Sequence, residues 1–138
     1  DANRQAEQTE ERLRELHSSY RLQLCDTIET TMKELADHIP GFRSESVYDE
    51  GGLGSACYRE NLHFENGRRT TQFSRLEIVV RPCTELLVLD IKGKATINNR
   101  EIFNRSHYAD LADLSLSDFE ACIEGWSLHY AEAVAATG

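Results

Sequence analysis

Four groupings in this chain are of residue types that do chemistry, and each is judged by the spacing that chemistry needs. The cysteines, Cys25, Cys57, Cys83 and Cys122, lie 32, 26 and 39 residues apart. A structural zinc site draws thiolates from closely spaced Cys-x-x-Cys pairs, with histidine at similar spacing. No metal site is therefore expected, and free thiols fit a reducing, cytoplasmic setting. Cys83 sits two residues after Arg81, and an adjacent cation favours the thiolate. A nucleophile also needs a positioned base. None can be assigned, because His63, His107 and His129 fall on separate elements.

Glu60-x-x-His63 has the letters of half a metalloprotease motif, but on a strand the two side chains point to opposite faces. His17 and His38 read as exposed helical residues, and Asp110 and Asp113 as part of a loop. Asn104-Arg105-Ser106 matches a glycosylation sequon and reads as chance without a sign of secretion. No catalytic residue, metal or cofactor is assigned, and the reading leans away from an enzyme.

The stretch Asp49-Glu50-Gly51-Gly52-Leu53-Gly54-Ser55 is the nearest thing to a ligand signature. A phosphate cradle needs glycine N–H groups leading into a helix N-terminus, usually with a lysine in reach. Here two acids precede the glycines, no Gly-Lys-Ser/Thr follows, and the next element reads as a strand. A flexible connection between the first two strands is expected, with a flap over the sheet as the functional alternative.

These groups must be held by elements that the hydrophobic pattern marks. Over residues 4–38, Leu13, Leu16, Tyr20, Leu24, Ile28, Met32 and Leu35 recur at steps of three or four, which predicts a helix stopped by Pro40-Gly41. Alternation predicts strands over 43–48, 56–64, 70–80, 86–97 and 101–108. Asn66-Gly67 reads as a tight hairpin turn. Ser117-Asp118-Phe119-Glu120 has the form of a capping box, and Phe119, Cys122, Ile123, Trp126, Tyr130 and Val134 place one apolar stripe on a closing helix. Gly125 within it is expected to allow close packing beside Trp126.

The fold expected is α+β, one domain over residues 1–138, with a five-stranded antiparallel meander and both helices on one face. A first helix this long outreaches a strand of about seven residues, which spans only about 23 Å. Residues 1–20 are therefore expected to overhang the globular part. The chain starts at Asp1 without methionine, which is read as leaving room for an upstream segment. No apolar run approaches a membrane span, so no membrane partner is expected.

The net charge of −9 is unevenly spread. Residues 1–40 carry 9 acids and 5 bases, 41–108 carry 9 and 10, and 109–138 carry 6 and none. Duplex binding calls for a net basic face, so nucleic acid is not expected as a partner.

Two functional readings result. The first is a non-enzymatic interaction or assembly domain, a homodimer or a module docking a partner protein through Leu13, Leu16, Tyr20 and Leu24 on the overhanging helix. The second is a small-ligand or anion-binding module. It would use the sheet face away from the helices, where Arg59, Phe73, Arg75, Glu77, Asp90 and Lys92 are expected together with Lys94, Val79, Leu86 and Val88.

Overall fold

The computed structural model describes residues 2–137. In chain order the elements are α1 (Ala2–His38), β1 (Arg43–Asp49), β2 (Gly52–Glu65), β3 (Arg68–Val80), β4 (Val88–Ile97), β5 (Arg100–Asp110) and α2 (Leu116–Thr137). The strands form one antiparallel sheet in the order β1-β2-β3-β4-β5, the expected meander. Both helices pack against it, α1 chiefly on β2 and its neighbours and α2 across β3, β4 and β5.

The core lies between the helices and one face of the sheet. Leu24, Ile28 and Met32, four residues apart on α1, are fully buried. They join Cys57 of β2, Leu76, Ile78 and Val80 of β3, Leu89 and Ile91 of β4, and Phe119, Ile123 and Tyr130 of α2 in one cluster. Burying a side chain of this size contributes roughly 1.5–3 kcal/mol, and that apolar stripe, rather than intrinsic propensity, holds α1 in place. Past His38 the chain leaves the helix at Gly41, whose φ of +82° suits the left-handed exit turn. Among the described residues no helix is long and apolar enough to cross a membrane.

Several expectations are corrected here. The glycine stretch is not a loose connection: only residues 50 and 51 turn, and Gly52 and Gly54 are buried positions inside β2. A Cβ on Gly54 would lie 2.8 Å from Val79 Cα and overlap the Ile78 carbonyl, so this glycine lets β2 and β3 approach. Gly125 is exposed with open space around it. The glycine that makes room for Trp126 is Gly93 of β4, where a Cβ would meet the indole at 2.6 Å. α2 starts one residue before Ser117, so the hydroxyl at its entry is that of Ser115, which lies 2.9 Å from the Ser117 hydroxyl.

His17, expected to be exposed, is 2% exposed. The turn from β3 to β4 folds over it, and its Nε2 lies 3.2 Å from the Arg81 carbonyl oxygen. Leu13 and Tyr20 pack against the core cluster. The exposed stretch at the start of α1 is thus residues 2–12, shorter than the expected overhang. Asp1 lies outside the described residues.

Candidate functional site

The first expected surface is largely consumed within the chain. Leu24 is fully buried, Leu13 and Tyr20 are packed on the core, and Leu16 is half-buried. The exposed residues 2–12 therefore have only Ala2 and Ala6 as apolar residues, and the large apolar side chain that α1 leaves exposed is Leu22, at 64% and outside the expected stripe.

On the open face of the sheet, β3 presents Phe73, Arg75, Glu77 and Val79 in alternation, with Lys94 paired to Glu77 and Lys92 to Val79. Asp90 lies two residues before Lys92 on that face. Five of the six residues expected there are brought together. Arg59 is not: Tyr58 pairs with Arg75 and Arg59 with Ser74, which puts Arg59 on the helix side. There its guanidinium covers the Phe42 ring at 4.8 Å and donates to the Pro40 carbonyl at 3.0 Å.

The electrostatics of this face show what remains available. Arg75 is already held, 2.6 Å from Glu45 and 3.1 Å from Glu77. Arg81 Nε lies 3.7 Å from Asp90. Burial pushes the Asp90 carboxyl pKa up, against the pull of Arg81, Lys92 and His107. Lys92 and Lys94 have no carboxylate within ion-pair distance among the described residues, and with Arg81 they line a hollow of about 510 Å³. Asp49, Glu50 and Glu77 line the same hollow. Three cations against three carboxylates give an anion no net attraction.

The turn carrying Cys83 meets α1, and the cation beside the thiol is Arg14, whose Nη1 lies 3.7 Å from the sulfur. His17 at the same junction is committed to the Arg81 carbonyl, and burial lowers its pKa, with Arg21 and Arg14 adding repulsion. Cys57 is buried, which raises its pKa to about 11. Among the described residues no group of three or more His, Cys, Asp or Glu side chains is placed to hold a metal ion.

A further uncovered apolar surface, on an arm that the sequence reading did not single out, lies at the far end of the β2–β3 hairpin. β1 pairs with β2 only as far as Tyr58, and β4 pairs with β3 only as far as Arg75. Beyond them β2 and β3 continue alone from the pair Glu60–Phe73 to the pair Glu65–Arg68. They form an arm of about 20 Å at roughly 3.4 Å per residue. Asn66 and Gly67 close it with φ of +52° and +76°, the two positive values that a type I′ turn requires.

Asn99 clamps the root of the arm. Its Oδ1 accepts from Phe73 N at 2.9 Å, its Nδ2 donates to the Thr71 carbonyl at 3.1 Å, and its backbone N donates to the Phe73 carbonyl at 2.8 Å. One residue, through its side chain and its backbone N–H, thereby stands in for a strand. On the open-face side, Leu62, Phe64 and Phe73 are 55%, 70% and 42% exposed. The signal was present: on the other side Asn61, His63, Glu65, Arg68, Thr70 and Gln72 are all polar, where a strand still under the helices would be apolar.

The fold and this surface define a two-helix, five-stranded α+β domain with a projecting hairpin arm. The chain matches no family model, no curated protein and no solved structure.

Proposed function

We propose that the chain is a non-enzymatic assembly domain that self-associates by stacking the arms of two copies. The supporting observation is the exposed group of Leu62, Phe64 and Phe73 on a two-stranded arm that, beyond the Asn99 clamp at its root, pairs with no further strand among the described residues. A lone hairpin is at best marginally stable in water, and grouped apolar side chains on its surface mark a contact site.

A second copy fits as the occupant because the surface is self-complementary. Glu60 at the root and Arg69 near the tip share the apolar side of the arm. Antiparallel stacking about a two-fold axis sets Glu60 of each copy beside Arg69 of the other, with the apolar rows between them. The arm face is smaller than the roughly 800 Å² per partner of a standard interface, so the dimer is a weak one.

Sedimentation velocity across about 10–300 µM tests this. The full chain should shift from monomer toward dimer, and the double variant Leu62→Asp, Phe64→Asp should remain monomeric with an unchanged circular dichroism spectrum. A full chain that is monomeric throughout would overturn the proposal. So would a dimer that survives the double variant and is lost on removing residues 2–12, which would return the interface to α1.

A further inference from the structure

We propose that the groove between α1 and α2, on the side of the helices away from the sheet, docks a basic amphipathic helix. It is separate from the arm and does not depend on self-association. Its volume is about 510 Å³. On α1 its wall is Thr27, Thr31, Glu34 and His38, and on α2 it is Glu120, Glu124, Ser127 and Leu128, each set at helical steps of three and four apart from the adjacent last pair.

The polar groups of this groove are mostly spent. Thr27 donates to the Gln23 carbonyl at 3.2 Å, Thr31 to the Thr27 carbonyl at 2.8 Å, and Ser127 to the Ile123 carbonyl at 2.8 Å. The His38 Nδ1 lies 2.7 Å from the Glu34 carbonyl oxygen. Each of these groups is satisfied by its own helix. What the groove offers an occupant is the apolar surface of Leu35 and Leu128, the latter 57% exposed, and the carboxylates of Glu34, Glu120 and Glu124.

None of those carboxylates has a cationic partner within ion-pair distance among the described residues. α2 contains no lysine or arginine at all. An apolar patch of Leu35 and Leu128, with Glu34 on one side and Glu120 and Glu124 on the other, calls for an occupant with an apolar stripe flanked by cations on both sides. An extended segment would present backbone N–H and C=O groups to hydroxyls that are already committed. A helix satisfies its own backbone and lays an i, i+3, i+4, i+7 stripe into the groove between two others. Lysine or arginine on its flanks then reaches Glu34 on one wall and Glu120 and Glu124 on the other.

The test uses the full chain and a fluorescently labelled, end-capped Lys/Leu peptide of about 14 residues with helical periodicity, followed by anisotropy at about 0.15 M salt. Micromolar binding is expected. Leu128→Asp should weaken it at least tenfold. The charge reversal Glu120→Lys, Glu124→Lys should weaken it at least tenfold and confer binding of the matching Glu/Leu peptide. The Leu62→Asp, Phe64→Asp variant should bind as the original chain does, which separates this site from the assembly reading. Absence of binding at about 500 µM would overturn the proposal. Equal binding of an oligolysine without leucine, or indifference to all the groove substitutions, would do the same.

Discussion

The two ends of the β2–β3 hairpin are the same pair of strands in two environments. At one end Gly54, Ala56 and Cys57 are buried, with β1 and β4 alongside and α1 above. At the other, residues 60–71 are all exposed. Backbone pairing is continuous through both. What differs is what the side chains meet, which makes one end part of the core and leaves the other as a surface. Pairing sets the course of a strand, and cover from helices and neighbouring strands decides whether it contributes stability or is left for contact with something else.

Putting a methyl group on a glycine at each end breaks that comparison open. At Gly54 the added Cβ meets the backbone of Ile78 and Val79, which cannot rotate away, so Gly54→Ala should cost at least about 3 kcal/mol. At Gly67 a Cβ meets nothing within 4 Å, and only the φ of +76° is penalised. Gly67→Ala should cost about 1 kcal/mol. Urea midpoints of the two variants read the difference. Equal losses would mean that the buried end has slack the packing does not suggest.

A smaller effect is expected at the junction where α1 meets the turn after β3. His17 is buried there, with Arg14 and Arg21 around it and Arg81 contributing the carbonyl. Its folded pKa lies below the ordinary value, first because of burial and then because of the two arginines. The unfolded chain therefore takes up this proton first as pH falls. The contribution is complete above about pH 6.5 and is lost progressively below it, down through the folded pKa. Unfolding measured at pH 7.5 and 5.5 should show the full chain weaker at the lower pH, and His17→Gln should reduce that dependence. An unchanged dependence would assign it to other groups.

Much of this was legible in the residues. The α1 stripe of Leu24, Ile28 and Met32 and the Asn66-Gly67 turn rest on local periodicity and local backbone preference, which need no knowledge of the rest of the fold. The error over Arg59 was avoidable, since counting outward from the turn pairs Tyr58 with Arg75 and Arg59 with Ser74. The burial of His17 was not readable in the same way, because its cover comes from a turn more than sixty residues away. The glycine stretch misled because three glycines in four positions signal a loop by composition, whereas Gly54 is there to clear a neighbouring strand. The polar inner side of the arm was a readable sign that the helices end before the hairpin does.

The smallest effect on stability should come from shortening the arm, and for that reason it isolates assembly from folding. Replacing residues 64–69 by Asn-Gly keeps His63 paired with Thr70 and leaves the Asn99 clamp on Thr71 and Phe73 untouched. It removes Phe64, Arg68 and Arg69, which are exposed. Because nothing buried is lost, the Tm at low protein concentration should move by only about 2 °C, corresponding to roughly 0.5 kcal/mol. A ligand that binds only the folded form raises Tm with its concentration, and a second copy of the chain is such a ligand. The full chain should therefore melt at rising temperature as concentration increases, and the shortened chain should not. A concentration dependence shared by both would place association elsewhere. A large loss of Tm in the shortened chain would mean that the arm is part of the fold's stability after all, and the contrast between the two ends of the hairpin would fall with it.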